Sequence, residues 1–184
     1  MSYVYELPVG KGKQFLNKGG VGNIVLGGWQ VNGITTFQAG SPFTVTQVLN
    51  GANVDSGQFR PDLIGNPNDL SHSRHRGQQV AQFFDTSAFR VNQPPDPVNG
   101  PFRFGTEGRH VVIGPGINDF DFAAYKVFPF KETRQLQFRA EFFNIFNHPI
   151  FANPGATLGT LQFGRLSATT VDPRDIQFAL KLYF

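Results

Sequence analysis

The chain has 184 residues, long enough for one domain with a sizeable core, and a small net charge of +3. It has no run of about 20 apolar residues, which excludes a membrane-spanning helix, and no dense cluster of Lys and Arg, which argues against a nucleic-acid partner. Cys is absent and Phe and Gly occur 21 times each. Disulfide chemistry is therefore excluded, and strands and loops are favoured over helices.

Two stretches near the start alternate between apolar and polar residues. They are residues 3–9 and 25–46, and the Gly-rich residues 10–23 read as the connection between them. Their apolar faces carry Tyr3, Tyr5, Trp29, Val31 and Phe37. The polar face of the second stretch carries Gln30 and Asn32. A period of two residues is typical of a β-strand with one apolar and one polar face, so we predict two strands here.

Residues 47–118 interrupt this alternation. The stretch is rich in Asn, Gly, Pro, Asp and Gln, and its apolar islands, QFFDTSAF and HVVIGPG, are short. Loops longer than about 15 residues are uncommon inside a compact soluble domain. We predict one long loop over 47–118, and we expect it to do more than connect two strands.

Alternation returns in three stretches, at residues 119–130, 135–147 and 174–184. The apolar face of the first contains Lys126, which indicates either a β-bulge or a charged group that reaches a nearby polar layer. The polar faces of these strands carry Asp121, Gln137, Arg139 and Glu141. The sequence therefore predicts five two-faced strands in total.

The predicted connections alternate in length. KETR at 131–134 is very short, whereas residues 47–118 and 148–173 are long. If the strands are antiparallel, both long connections leave the same end of the sheet. Short turns at one end and long loops at the other are typical of an outer-membrane β-barrel.

Two environments produce two-faced strands. In a soluble sandwich the apolar faces pack against a second sheet, whereas in a membrane barrel they face lipid and the polar faces line a wet lumen. Aromatic residues concentrate towards the strand ends, as in the girdles of membrane barrels: Tyr3, Tyr5, Trp29, Phe128, Phe130, Tyr183 and Phe184. We therefore predict an all-β fold, an antiparallel up-and-down transmembrane β-barrel segment with long extracellular loops. A soluble, lectin-like sandwich that binds through its long loop is the alternative.

The barrel interpretation assigns roles to the polar residues. The candidates for lining the lumen are Gln30, Asn32, Asp121, Gln137, Arg139 and Glu141. Arg139 and Glu141 share one face of a strand and could line a substrate path, but a cross-strand charge network is the preferred interpretation. The aromatic residues of the long loop could contact ligand or pack the loop onto the barrel rim: Phe83, Phe84, Phe89, Phe102 and Phe104.

The last strand has a second property. Its apolar positions alternate up to the final residue: Ile176, Phe178, Leu180, Leu182 and Phe184. This pattern is similar to the terminal signal that the barrel-assembly machinery of Gram-negative bacteria reads. An unpaired two-faced edge strand can bind another protein by strand pairing.

Several segments in order carry a more specific resemblance. They are GGWQVNGITTFQAGSPFTV, RPDLIGNP, FFDTSAF, FGTEGRHVVIGPGINDFDFAAYKVF, LQFRAEFFNIFNHPIFANP, FGRL and PRDIQFALKLYF. Together they resemble the C-terminal end of an Oar-like TonB-dependent receptor, a family whose members often carry an N-terminal carboxypeptidase-regulatory-like domain. The resemblance spans nearly all of residues 1–184.

The resemblance implies an outer-membrane barrel of about 22 strands that surrounds a plug and moves a bound ligand with energy relayed by TonB. MSYVYELPVG lacks the features of a signal peptide, and no TonB-contacting segment or plug is recognisable. We therefore expect a fragment that works only with the plug and remaining barrel of its parent, and that meets TonB only through the parent. Outer-membrane lipid and the barrel-assembly machinery are the other expected partners. The ligand cannot be read from the sequence.

Other chemistry is weakly supported. HSRH at 72–75 has two His but no evident third ligand, so a metal site is disfavoured. GKGK at 10–13 lacks the spacing of a phosphate loop, and GGVGNIVLGG reads as a turn that enters a strand. Asp119 and Asp121 are better explained as lumen-facing acids than as calcium ligands. We expect no cofactor and no enzymatic activity.

Overall fold

A computed structural model describes residues 1–17, 19–55, 57–70, 73–93, 101–131 and 134–184. The chain forms two compact units. The sheet unit comprises Met1–Gln38, Ile117–Pro149 and Val171–Phe184, and the loop unit comprises Ala39–Gly116 and Ile150–Thr170. Among the described residues, no helix is long and apolar enough to cross a membrane.

The described residues form eleven strands and two short α-helices. In chain order the strands are β1 Ser2–Glu6, β2 Trp29–Gln38, β3 Pro42–Phe43, β4 Thr46–Gln47, β5 Asp62–Leu63, β6 Phe89–Arg90, β7 Val112–Ile113, β8 Ile117–Lys131, β9 Arg134–Phe143, β10 Thr157–Leu158 and β11 Asp175–Tyr183. The helices are α1 Val21–Leu26 and α2 Arg76–Ala81, and Thr86–Ala88 forms a 3₁₀ turn.

The main sheet consists of the five longer strands of the described residues, in the order β1-β2-β8-β9-β11. All four neighbouring pairs are antiparallel. The predictions of five strands and of an antiparallel up-and-down arrangement are therefore confirmed. The sheet is open, because β1 and β11 each pair with one neighbour.

The register keeps the two faces separate across the whole main sheet. Phe138 lies opposite Lys126 on one side and Leu180 on the other. One residue away, Gln137 lies opposite Val127 and Lys181. Because a slip of one residue would move every apolar side chain to the other face, this register follows from the period-two pattern of the sequence.

The ends of the strands differ from the prediction. The first strand ends at Glu6, not at residue 9, and the fourth ends at Phe143, after which Asn144 and Asn147 adopt positive φ angles of 47° and 50°. Asn tolerates this conformation better than most residues, so it ends the strand with a turn. The register shift in β8 falls between Pro129 and Lys131. A bulge at Lys126 was therefore the wrong alternative.

The largest local error concerns the start of the second strand. The strand begins at Trp29, whereas Val21–Leu26 form the helix α1. GGVGNIVLGG is therefore a short helix between glycines and not a simple turn. A Cβ atom at Gly27 would collide with Asn23 and with the Cα of Gly10. Glycine is required here for the close approach of two backbones.

Connections of different length leave the two ends of the main sheet. Lys131 pairs with Arg134, so β8 and β9 form a tight hairpin, and residues 132–133 of the predicted KETR turn lie outside the described residues. At the other end, Gln38 lies opposite Ile117 and Phe143 opposite Asp175. The two long connections therefore leave the same end, as the sequence predicted.

The loop unit has its own hydrophobic core. Five residues are buried in it: Val45, Phe84, Ala88, Phe89 and Val112. The ring of Phe84 makes edge-to-face contacts with Phe43, Phe89 and Phe163. Short strand pairs organise the backbone, including the parallel pair between β4 and β10. Residues 47–118 therefore do not form a structureless loop, and they fold together with residues from the second long connection.

Candidate functional site: the polar face of the main sheet

The six predicted lumen residues lie on one face of the main sheet. Gln30 on β2 is opposite Tyr125, which is opposite Arg139 on β9. In the next row, Asn32 is opposite Ala123, which is opposite Glu141. Asp121 and Gln137 flank these rows, opposite Ile34 and Lys181. The register thus brings all six into one polar patch, although their role as lumen residues stays a prediction.

Hydrogen bonds connect this polar patch across the strands. The phenol of Tyr125 donates to Glu141 Oε1 at 3.1 Å, and Arg139 Nε donates to Gln137 Oε1 at 2.9 Å. The Tyr183 hydroxyl donates to the same Gln137 oxygen at 3.2 Å. The Arg139 guanidinium lies 5.2 Å from the centroid of the Tyr125 ring. The bonds of Tyr125 and Tyr183 tie β8, β9 and β11 together, whereas the bond from Arg139 stays within β9. The predicted cross-strand charge network of Arg139 and Glu141 therefore stays a prediction.

Asp121 supports the backbone at one end of the polar patch. Its Oδ1 accepts a hydrogen bond from Asn144 N at 3.0 Å, and the Asn144 side chain donates to the carbonyls of His148 and Asp172. Asp119 Oδ1 accepts from the neighbouring Phe120 N at 2.9 Å. The two carboxylates therefore fix local backbone, and among the described residues no group of three potential ligands could hold a metal ion. His72 of the HSRH stretch lies outside the described residues.

Two tyrosines of the polar patch were missed as site candidates. Tyr125 and Tyr183 each donate a hydrogen bond to a predicted site residue on the neighbouring strand. Their parity placed them on the polar face, but the sequence analysis weighted charged and amide groups above phenols. Its assignment of Tyr183 to the aromatic girdle was wrong, because this hydroxyl lies on the polar face and donates to Gln137. An open cavity of about 330 Å³ lies over the patch, and its lining includes Asn32, Asp121, Tyr125 and Glu141.

The opposite face of the main sheet is apolar and aromatic. The rings of Phe138 and Phe178 stack at 6.2 Å, and Trp29 meets Phe138 edge to face at 6.2 Å. Phe178 and Leu180 are 67% and 70% exposed, so no second sheet of the described residues covers them. This exposure is the opposite of what a soluble sandwich requires.

Aromatic residues mark both ends of this apolar face. Trp29, Phe128 and Phe130 lie near the β8–β9 hairpin, as predicted for a girdle. The sequence analysis missed a second row at the other end, where the Phe120 ring meets Phe37 at 5.3 Å and Phe146 at 5.0 Å. Trp29 and Phe37 are eight residues apart on β2, or about 27 Å at 3.4 Å per residue. At the roughly 35–45° tilt of strands in membrane barrels, this length covers about 19–22 Å of their roughly 25 Å apolar band.

Lys126 is the charged exception on the apolar face. It is 2% exposed, and its Nζ lies 5.2 Å and 5.0 Å from the ring centroids of Trp29 and Phe128. The same Nζ donates to the carbonyl oxygens of Val25, at 2.9 Å, and of Gly27. Of the two predicted alternatives, the second is confirmed, because the polar layer that Lys126 reaches is the carboxyl end of α1.

The proposed assembly signal lies on the edge strand β11. Its residues Ile176, Phe178, Leu180 and Leu182 alternate on the apolar face, opposite Phe142, Ala140, Phe138 and Leu136. The last pair of the ladder is Tyr183 with Gln135, so Phe184 lies beyond it and is 92% exposed. The strand is thus two-faced and paired on one edge, as strand pairing with another protein requires.

The loop unit contains two buried carboxylates, Asp62 and Glu107, whose pKa values are shifted in opposite directions. Arg103 contacts both oxygens of Asp62 at 2.6 Å, and this hydrogen bonding holds the pKa of Asp62 below its usual range. Glu107 is 2% exposed; its Oε1 accepts from Val45 N at 2.9 Å, and its Oε2 is buried without a partner. Burial raises the pKa of Glu107 because it disfavours the charged form.

The predicted loop aromatics divide into two groups. Phe84 and Phe89 are buried in the core of the loop unit and Phe83 packs against it, whereas Phe102 and Phe104 are 50% and 69% exposed. The first group therefore stabilises the loop unit itself, an outcome that neither predicted role described. The described residues of this unit include the linings of two open cavities. One, of about 430 Å³, is lined in part by Phe83 and Arg74, and the other, of about 470 Å³, by Arg60, Arg109 and His110.

Comparison with known proteins agrees with this geometry. A family model, the outer membrane beta barrel domain, matches residues 1–177. No curated protein matches the chain, and no solved structure does. The family match covers nearly the whole chain, including the polar patch and most of the apolar face, and it sets aside the soluble alternative. The chain belongs to the outer membrane beta barrel domain family and resides in the outer membrane.

Proposed function

We propose that this chain is part of the barrel wall of a TonB-dependent receptor of the Oar-like type, which binds a ligand and moves it across the outer membrane. The main sheet with its two faces carries the proposal. Its apolar face, with an aromatic row at each end, is suited to lipid, and its polar patch is suited to a hydrated lumen. In this arrangement Gln30, Asn32, Asp121, Gln137, Arg139 and Glu141 line the lumen.

Further strands are needed to close the wall. β1 and β11 each leave one edge unpaired in the described sheet. A barrel has no free edges, because each unpaired edge in lipid leaves backbone groups without partners. We propose that strands of the parent protein pair with both edges, that its plug fills the lumen, and that the barrel-assembly machinery recognises β11.

The loop unit is the proposed site of ligand contact. Both of its chain segments leave the same end of the main sheet, opposite the β8–β9 hairpin. Long loops of outer-membrane barrels are extracellular and turns are periplasmic, so this end faces outwards in the proposal. A unit with a packed core can hold binding residues in fixed positions. The proposal gives the chain no catalytic step, cofactor or nucleic-acid partner.

A growth comparison tests energy-coupled uptake. Strains that lack the complete protein, TonB, or both would be grown on single peptides, siderophores and glycans as limiting nutrients. The proposal predicts at least one nutrient whose use is lost equally in all three strains. If the protein supports the use of such a nutrient without TonB, the barrel is a passive channel and the proposed receptor class is wrong.

A further inference from the structure

The connection between β1 and β2 carries an unusual apolar helix. Membrane barrels typically have short periplasmic turns, yet the 22 residues between Glu6 and Trp29 include α1. Four of the six residues of α1 are large and apolar, and all four are exposed: Val21 by 76%, Ile24 by 60%, Val25 by 57% and Leu26 by 52%. Exposed apolar side chains grouped in this way indicate an interaction surface.

The helix presents its polar residue to the protein. At 100° per residue, Val21 and Val25 lie on the side of α1 opposite Asn23. Ile24 lies between the two sides and lines an open cavity with residues of the polar face. Asn23 Oδ1 accepts a hydrogen bond from Lys11 N at 2.7 Å. The polar side of α1 therefore packs on its own connection, and the apolar side points away from it.

The carboxyl end of α1 is fixed to the apolar face of the main sheet. Trp29 Nε1 donates to the Val25 carbonyl at 2.9 Å, and Lys126 Nζ donates to the same oxygen and to that of Gly27. A cation suits the free carbonyls at a helix C-terminus. The otherwise unfavourable charge of Lys126 on this face is thereby satisfied, and the helix is held beside Trp29.

We propose that α1 lies in the membrane interface and inserts Val21 and Val25 into the phospholipid beside the rim of the barrel. The inference rests on the proposed function, because it requires the apolar face of the main sheet to contact lipid. Lipid is the occupant because the carboxyl end of α1 is hydrogen-bonded to Trp29 and Lys126 of that face, which places Val25 beside its aromatic row. An apolar helix side next to Trp and Lys is suited to the interface between lipid and water.

Single-cysteine labelling tests the proposal. This chain has no Cys, so Val21→Cys, Leu180→Cys and Gln177→Cys would each carry one environment-sensitive fluorophore in the complete protein, with any cysteine outside this chain replaced by serine. The proteins would be reconstituted into phosphatidylethanolamine–phosphatidylglycerol vesicles that contain brominated phospholipid. Val21 and Leu180 have exposed side chains and Gln177 lies on the polar face, so the labels leave packed positions unchanged.

The expected result is quenching by brominated lipid at Val21 and Leu180 to a similar extent, with no quenching at Gln177. Quenching at Leu180 without quenching at Val21 overturns the role of α1 and leaves the barrel wall intact. Absence of quenching at both Val21 and Leu180 overturns the lipid-facing assignment itself. Protein folding would be checked by the resistance of each labelled barrel to unfolding in cold detergent.

Discussion

The rings of Phe138 and Phe178 stack on neighbouring strands with their centroids 6.2 Å apart. Phe178 lies opposite Ala140, whereas Phe138 lies opposite Lys126. Because the stacked pair lies on the exposed apolar face, a charge at position 178 would enter lipid without a cation opposite it. We predict that Phe178→Asp destabilises the reconstituted barrel on the order of 1–3 kcal/mol and lowers the amount assembled in the outer membrane. Urea unfolding in vesicles and the heat-modifiable fraction on gels would measure these effects.

A polar position on the neighbouring strand supplies the matched control. Gln137 Oε1 accepts from Arg139 and from Tyr183, and an Asp carboxylate offers the same kind of acceptor. Gln137 also lies opposite Lys181, which would favour a negative charge. Gln137→Asp should therefore assemble normally. Equal defects in both variants would contradict the assignment of the two faces.

A second prediction concerns the attachment of α1. Lys126→Met keeps the length of the side chain but removes the donor to the Val25 and Gly27 carbonyls. Loss of a partner from buried polar groups costs about 1–3 kcal/mol. We expect α1 to detach, so that a protease cleaves the β1–β2 connection faster in the variant than in the native barrel.

Lys181→Met is the control for Lys126→Met. Lys181 lies on the polar face of the edge strand, where its Nζ is 4.9 Å from the ring centroid of Tyr183. This change removes the same charge without touching α1, so cleavage of the connection should stay at the native rate. Equal cleavage of native protein and Lys126→Met would show that α1 is held by other contacts.

The faces of the main sheet were predictable from the sequence, whereas α1 was not. Period-two alternation persists over whole strands, so the positions of Arg139 and Phe138 followed from parity alone. Val25 and Gly27 continue the apolar positions of the second predicted strand by chance, and for this reason the strand was predicted to begin before Trp29. α1 is six residues long, and a helix of this length is not stable in isolation. Contacts of Asn23, Trp29 and Lys126 stabilise it. Lys126 is 101 residues away from Val25 in the sequence, and no local pattern marks the other two as helix contacts.

The loop unit was unpredictable for a different reason. Its strands are two residues long, and pairs of two residues have no period to detect. Thr46 of β4 pairs with Thr157 of β10, 111 positions away, and their hydroxyls lie 3.2 Å apart. Such a contact is set by tertiary packing and not by local pattern. The islands QFFDTSAF and HVVIGPG did mark the core, because they contain Phe84, Phe89 and Val112.

The third prediction concerns the pH dependence of the loop unit. Burial raises the pKa of Glu107 above its ordinary value of 4.5. Its stabilising effect is then complete below pH 4.5 and is lost as the pH rises through the folded pKa, because a charge must then be buried. Asp62 acts in the opposite sense. Because its pKa is lowered, its ionised form stabilises the unit above pH 3.8, the ordinary pKa, and this stabilisation is lost as the pH falls through the folded pKa.

Glu107→Gln separates these two effects. The amide keeps an oxygen for Val45 N but cannot ionise, so stability should no longer fall as the pH rises above 4.5. Hydrogen exchange at the Val45 amide measures this directly, because Val45 is fully buried and donates to Glu107. Asp62→Asn is the control and should retain the decline at higher pH. A native protein whose Val45 protection rises with pH over this range would contradict the prediction.

The last prediction separates an assembly signal from a stabilising contact at Phe184. The residue lies beyond the Tyr183–Gln135 pair. It is four residues past Leu180, which shares a row with Trp29 at the end of the apolar face. Phe184 is 92% exposed and lies outside the lipid-facing band, so Phe184→Ser should change the free energy of unfolding of the refolded barrel by less than about 0.5 kcal/mol. In cells, the same change should reduce assembled protein several-fold, because the assembly machinery is expected to read an aromatic residue there, and Phe184→Tyr should restore it. Quantitative blotting of outer-membrane fractions measures the cellular effect, and urea unfolding measures the other. A loss of stability that matches the loss of assembly would show that Phe184 packs against lipid or protein rather than serving as a signal.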